Sequence, residues 1–115
     1  MQNNKIFSGH NAPVVLADRS FDSFVRDDKL SVIDFWAAWC GPCRYLSPVI
    51  DELSGEYKDS VKFGKVNVDE NPLISRILKI ESIPTVMFFK NGKLLDKSIG
   101  VVPKEVLNNK IKKFL

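Results

Sequence analysis

The sequence predicts one α/β domain with a central mixed five-stranded sheet and helices on both faces. Two observations support this class. Short β-branched and aromatic runs alternate with amphipathic helical patterns as far as residue 78. Asn91-Gly92 then separates two further apolar runs, which is typical of a tight turn between antiparallel strands. The alternating units and the hairpin together indicate a mixed sheet, closed by a last helix.

The first half of the chain contains two strand-helix units. Residues 14–16 form a short apolar run, and Asp18 or Ser20 is a candidate cap for the brief helix that follows. Residues 31–36 are almost continuously apolar, as expected of a central strand covered on both faces. The next helix contains Pro48, which predicts a bend rather than two helices. Its apolar face comprises Leu46, Val49, Ile50, Leu53 and Tyr57.

The second half continues the alternation and ends in a hairpin and a helix. Residues 61–68 form a strand pattern, and Asn71 is a candidate cap for a helix that begins at Pro72. Residues 85–89 and 94–99 are the predicted hairpin strands. The predicted buried positions of the last two helices are Leu73, Ile74, Ile77 and Leu78, then Leu107, Ile111 and Phe114.

Length and composition predict a single domain over residues 13–115, preceded by a polar leader, residues 1–12. With 115 residues, of which 44% are hydrophobic, the chain can build one core without a metal or structural disulfides. The leader lacks the apolar region of a secretory signal, and no apolar run is long enough to cross a bilayer. We therefore expect a soluble, cytoplasmic monomer that does not act at a membrane.

The charge balance gives little support to nucleic-acid binding. The net charge is +3, and the basic residues are densest in the last helix, at Lys104, Lys110, Lys112 and Lys113. No stacking aromatic motif is interleaved with them, so a solvated helix face is the better interpretation. We expect no nucleic-acid partner.

The most informative feature is the pair Cys40 and Cys43, the only cysteines, within Trp39-Cys40-Gly41-Pro42-Cys43. A helix pattern begins at the second cysteine, so both thiols fall at a helix N-terminus. Unpaired backbone N–H groups and the helix dipole favour an anion there, and hence the reactive thiolate of Cys40. The two-residue spacer brings the sulfurs within bridging reach. This spacing indicates dithiol-disulfide chemistry.

Asp34 and Lys65 interrupt two otherwise apolar strands. A carboxylate in the most buried strand has a pKa raised by desolvation, and near a reacting centre it can exchange protons close to neutral pH. The alternative is a wet strand face or a simple ion pair. Lys65 is the candidate cation, but the apolar spacing changes parity across Gly64. Alternation therefore leaves open whether Lys65 points inward, points into solvent or lies in a bulged strand.

Two further residues have simple interpretations. Pro84 precedes a strand, and the residues alone favour a trans Ile83-Pro84 bond over a cis one. His10 is isolated in the polar leader and is expected to be exposed. Two cysteines and one distant histidine fall short of the four ligands of a zinc site, so we predict no metal.

Over residues 14–115 the chain contains several motifs in an order that resembles the thioredoxin family. They are Asp34-Phe35-Trp36-Ala37, Trp39-Cys40-Gly41-Pro42-Cys43, Pro48, Lys65, Asp69, Ile83-Pro84-Thr85, Asn91-Gly92 and Gly100. The resemblance implies a thioredoxin-like fold for the α/β domain. The chain departs from the family pattern at Ala38 and Val101. These two differences put its preference among partner proteins in question.

Site roles follow from this resemblance by position. It implies that Cys40 attacks, Cys43 resolves, Asp34 assists proton transfer at Cys43, and Lys65 lies beside Asp34. It also implies a cis Ile83-Pro84 bond packed against the cysteines, next to backbone that pairs with an extended substrate segment. The implied apolar docking surface comprises Trp39, Gly41, Pro42, Ile83, Gly92, Gly100 and Val101.

The activity implied by the resemblance is reduction of disulfides in substrate proteins. A flavin-containing thioredoxin reductase would then restore the dithiol with NADPH, without any cofactor bound to this chain. Three alternatives remain. The domain could be a redox-inactive binding module, or an oxidase or isomerase of the same fold, which reduction potential distinguishes from a reductase. A zinc site shared between chains is the third.

Overall fold

The computed structural model describes residues 12–115, which form a five-stranded sheet with helices on both faces. Its elements are β1 (Val14–Leu16), α1 (Asp18–Val25), β2 (Leu30–Trp36), α2 (Gly41–Glu56), β3 (Val61–Asn67), α3 (Pro72–Ile77), β4 (Thr85–Lys90), β5 (Lys93–Ile99) and α4 (Lys104–Phe114). The strand order is β1-β3-β2-β4-β5. The first three strands are parallel, and β4 and β5 are antiparallel to their neighbours. The predicted mixed sheet is confirmed. The predicted leader lies outside the described residues, apart from Ala12.

Two apolar clusters, one on each face, explain the continuous apolar run of β2. Leu30 and Val32 pack with α2 and α4, whereas Ile33 and Phe35 pack with α1 and α3. Both faces are covered, so the side chains of residues 30–35 are all buried and Trp36 is partly buried. α2 runs through Pro48 as one helix. None of the helices described over residues 12–115 has the length and apolarity needed to cross a bilayer.

The register of β3 shows on which face of the sheet the Lys65 side chain lies. β3 pairs with β2 without a register shift, and Asp34 lies opposite Lys65. Phe63 belongs to the α2 and α4 cluster, and Val66 belongs to the opposite one. The change in apolar spacing therefore reflects two buried faces rather than a bulge. By alternation, Lys65 and Asp34 share the face covered by α2 and α4.

The cap of α3 is the residue expected from the sequence, Asn71 before Pro72, but the cap of α1 is not. The cap of α1 is Ala17, not Asp18 or Ser20, and the Ala17 N–H donates to Ser20 Oγ at 2.9 Å. Asn71 occupies the cap position of α3, but its Oδ1 accepts the Asp18 N–H at 3.0 Å. The Asp18 carboxylate in turn accepts the Ile74 N–H at 2.8 Å. Each helix is thus capped by a side chain from the other.

The predicted buried face of α3 was half wrong. Ile74 and Leu78 pack against the core, but Leu73 is 53% exposed and Ile77 is 61% exposed. α3 is only six residues long, so it presents a narrow face to the rest of the domain. In α4, Leu107 and Ile111 are buried as predicted, with Phe114 packed beside them.

Candidate active site

The start of α2 brings the two cysteines together. Cys40 is the N-cap residue, Gly41 and Pro42 open the first turn, and Cys43 follows. The sulfurs of Cys40 and Cys43 are joined in a disulfide, and the Cys43 N–H donates to Cys40 Sγ at 3.2 Å. This N–H would favour negative charge on Cys40 once the bond is reduced, because charge-assisted hydrogen bonds are the strong ones. The predicted bridging reach is confirmed.

The two cysteines line different cavities. Cys40 lines an open groove of about 470 Å³ on the surface, together with Trp39, Pro42 and Ile83. Cys43 instead lines a smaller cavity of about 110 Å³ that also contains Asp34. Both cysteines are nearly fully buried, at 3% and 4% exposed, but Cys40 borders the open groove and Cys43 borders the cavity that Asp34 also lines.

The loop before β4 closes the groove against the disulfide. The Ile83-Pro84 bond is cis, as the resemblance implied, and the trans preference drawn from the residues alone was wrong. The Ile83 carbonyl oxygen lies 3.8 Å from Cys40 Sγ. Gly100 adjoins this loop, because its N–H donates to the Pro84 carbonyl at 2.8 Å, and its φ of +88° suits glycine. Val101 next to it is half exposed.

Trp39 forms an exposed wall of the groove. The side chain is 69% exposed, yet its Nε1–H donates to Asp69 Oδ2 at 2.8 Å. The indole is thereby held in one orientation while its apolar surface stays available. Such a fixed, amphipathic ring is suited to protein contact.

Gly92 does not lie with the other predicted docking residues. It stands in the turn between β4 and β5, whereas Pro84 precedes the opposite end of β4. Six residues of strand separate the two ends, a span of roughly 20 Å. The Gly92 N–H donates to the Val25 carbonyl at 2.8 Å. Its φ of +79° serves the hairpin turn, so grouping Gly92 with the docking surface is corrected.

Asp34 is buried in the inner cavity and is 2% exposed. Its Oδ1 has no hydrogen-bond partner among residues 12–115. Burial raises the pKa of Asp34 from 3.8 to about 6, and although the charge of Lys65 lowers that pKa, the charge of Asp51 raises it. Desolvation is the largest cause, as predicted for a carboxylate in this strand.

Lys65 stands beside Asp34 but does not form an ion pair with it. Its Nζ lies 4.8 Å from the centroid of the Trp36 ring, a cation–π contact. Lys65 and Trp36 both line the inner cavity with Asp34. They also line a larger, outer pocket at the β1 edge, so this pair separates the buried carboxylate from that pocket.

Sequence reasoning missed several residues around the two cavities. Arg44 and Ser47 line the inner cavity, and Arg44 donates to the Ala38 carbonyl at 3.2 Å. Val68, Ile80, Glu81 and Ser82 line the groove. The only available signal was topological, since the ends of parallel strands and the loops after them meet at one edge of a sheet. Among residues 12–115 no three metal-ligating side chains cluster.

The fold and this site define a thiol-disulfide oxidoreductase, with a dithiol at a helix start beside a proline loop. A family model described as Thioredoxin matches residues 12–113. The chain therefore belongs to the thioredoxin family, and its thioredoxin-like fold and Cys40–Cys43 pair agree with the resemblance seen in the sequence. A redox-inactive binding module is not favoured.

Curated relatives agree with this assignment. The chain is 48% identical to a thioredoxin of Pyropia yezoensis over 101 residues, covering 87% of this chain and 94% of the relative. It is 46% identical to thioredoxin 1 of Synechococcus elongatus, with the same coverage. It is 47% identical over 106 residues to an M-type chloroplastic thioredoxin of Pisum sativum, covering 91% of this chain and 62% of that protein's length.

Proposed function

We propose that this protein reduces disulfides in other proteins, with Cys40 as the attacking sulfur. The observation that supports this most directly is the placement of Cys40 in the open groove, with its sulfur accepting the Cys43 N–H. In the reduced state the Cys40 thiolate attacks one substrate sulfur, and the other substrate sulfur leaves as a thiolate. A Cys40-substrate mixed disulfide results.

The second step uses Cys43. Its thiol loses a proton, its thiolate attacks Cys40 Sγ, and the second substrate sulfur leaves. The Cys40–Cys43 disulfide is left behind, and the substrate has gained two electrons. Asp34 is the proposed proton acceptor, because it lines the cavity that Cys43 faces and its pKa is about 6. That cavity, at about 110 Å³, has room for roughly three waters to relay the proton. Lys65 tunes the pKa of Asp34.

The groove is the proposed docking surface for an extended substrate segment. Within residues 12–115 the Ile83 N–H has no backbone acceptor, so it can donate to a substrate strand beside Cys40, whose sulfur lies 3.8 Å from the Ile83 carbonyl oxygen. Apolar contact would come from Trp39, Gly41, Pro42, Ile83, Pro84, Gly100 and Val101.

A flavin-containing thioredoxin reductase is the proposed source of electrons, using NADPH, so that this chain needs no bound cofactor. The oxidised pair is the state in which it would meet that reductase. We propose that the protein acts as a monomer in a reducing compartment, for which the cytoplasm is the sequence expectation. The Pisum sativum relative is named as chloroplastic.

Coupled turnover tests this function. Wild-type protein, NADPH, a thioredoxin reductase and a disulfide-containing protein should consume NADPH in step with new substrate thiols. The variant Cys40→Ser/Cys43→Ser is the matched control and should support no consumption above background. If the double variant supported the same NADPH consumption, electrons would reach the substrate without this dithiol, and the proposed function would be refuted.

A further inference from the structure

The loop of residues 80–82 separates the docking groove from a second, smaller notch. Ile80, Glu81 and Ser82 line both cavities. On the far side of the loop the notch, of about 40 Å³, is lined also by Lys79, Lys97 and Ile99. The two concavities therefore adjoin each other on either side of one loop, and a segment docked in the groove can extend over it.

The floor of the notch is a part of the sheet that leaves apolar surface in solvent. Ile99 pairs with Thr85 and Lys97 pairs with Met87 across β4 and β5, so their side chains lie on one face. Ile99 is 57% exposed, and it directly precedes Gly100 and Val101 of the docking surface. An apolar side chain of a bound protein could cover Ile99 there.

The rim of the notch is positively charged. Lys79 and Lys97 are exposed, and neither forms an ion pair with any carboxylate within residues 12–115. Glu81 is the one acidic side chain among its lining residues. The rim thus has an excess of one positive charge. Complementary charge across an interface favours one class of partner over another.

The backbone at Lys79 gives no reason for a lysine there. Lys79 follows the end of α3 with a φ of +56°, in the left-handed region. Its N–H donates to the Arg76 carbonyl at 3.1 Å, and the Ile80 N–H donates to the Ser75 carbonyl at 2.9 Å. This is a Schellman motif, in which the left-handed position favours glycine. The backbone at this position would favour glycine, so any contribution of Lys79 comes from its side chain, which lines the notch.

We infer that the docking surface extends across residues 80–82 into this notch and selects disulfide substrates that carry an acidic side chain beside the docked segment. Lys79 and Lys97 would receive that carboxylate, and Ile99 would contact the neighbouring apolar group. This inference rests on the proposed function, because the docked segment is the one that brings its disulfide to Cys40.

Competition between peptide substrates tests the inference. Three disulfide peptides would differ only at the flanking positions, which carry aspartate, glutamine or lysine. For wild-type protein we expect kcat/KM to be highest for the aspartate peptide. In Lys79→Gln/Lys97→Gln, the aspartate-to-glutamine ratio of kcat/KM should fall roughly 3- to 10-fold. Added salt should reduce the same ratio in wild-type protein.

Two controls separate the possible explanations. Lys58→Gln/Lys112→Gln removes the same charge from exposed positions that line neither cavity, and it should leave the ratio unchanged. An equal fall in this control would show that net charge alone is responsible and would overturn the inference. A wild-type ratio near one would also overturn it. Failure of wild-type protein to reduce any of the three peptides would refute the proposed function itself.

Discussion

Asp34 and Lys65 lie opposite each other on the neighbouring parallel strands β2 and β3, yet the ammonium is placed over the Trp36 ring and makes no ion pair with the carboxylate. The lysine therefore acts on Asp34 through space. Its charge lowers the pKa of Asp34, but desolvation outweighs it, and the pKa rises to about 6. A proton-exchanging group near neutral pH results.

Asp34→Asn should stabilise the oxidised protein at high pH. The pKa of Asp34 is about 6 in the folded protein, and its ordinary value of 3.8 applies to the unfolded chain. Between pH 4 and 6 the folded state therefore binds more protons than the unfolded state. Stability then falls as the pH rises through this window. At pH 8 the free energy of unfolding of the variant should exceed that of wild type by about 3 kcal/mol, and below pH 4 the difference should vanish. Urea unfolding at both pH values checks this. A difference independent of pH would contradict it.

Lys65→Gln should raise the pKa of Asp34 above about 6, because the lysine charge lowers that pKa. The pH dependence of the reductive step should likewise shift to higher pH. NMR titration of the Asp34 carboxyl carbon measures the pKa directly. Lys62→Gln is the control, since Lys62 lies on the same strand but pairs with Asp27. A pKa that stays in place or falls would remove Lys65 from this role.

Cys43→Ser should accumulate a covalent adduct with a disulfide-containing protein. Cys40 lines the open groove and can still attack, while the sulfur that would release the product is missing. Cys40→Ser should give little adduct, because the remaining Cys43 faces the inner cavity with Asp34. Mass spectrometry under non-reducing conditions distinguishes the two variants. Stronger trapping by Cys40→Ser would reverse the proposed roles.

Gly64→Ala should destabilise the fold. An added Cβ would lie 2.6 Å from Leu16 Cδ1 and 3.1 Å from Ile33 Cδ1, so the packing between β1, β2 and β3 must give way. The expected loss is about 1–3 kcal/mol of unfolding free energy. Gly41→Ala is the matched control, because within residues 12–115 a Cβ there meets no atom within 4 Å beyond its chain neighbours and its own helix backbone. Its stability should change by less than about 0.5 kcal/mol. Denaturation of the oxidised proteins compares them, and equal losses would argue against close packing at Gly64.

Asp18→Ala and Asn71→Ala should each cost about 1 kcal/mol of stability, since each removes the side-chain cap of the other residue's helix. The effects should be less than additive in the double variant, because the exchanged caps hold α1 and α3 together. Thermal and urea unfolding of the four proteins gives the coupling energy. Full additivity would mean that the two caps act independently.

Local patterns in the sequence determined the elements and the chemistry. The buried run at residues 31–36, the helix that starts at the cysteines and the Asn91-Gly92 turn depend on periodicity and backbone preferences of neighbouring residues, so they were predictable. The raised pKa of Asp34 was predictable for the same reason, because a carboxylate inside an almost continuously apolar strand has few alternatives to burial.

Only the tertiary structure decided which distant groups meet. The side of Lys65 depended on both faces of β3 being covered, and the exchanged caps of Asp18 and Asn71 depended on how α1 and α3 lie together. Gly100, not Gly92, adjoins Pro84 because β5 returns antiparallel to β4. These relations arise from strand register and packing between elements, which residues adjacent in the chain do not encode by themselves.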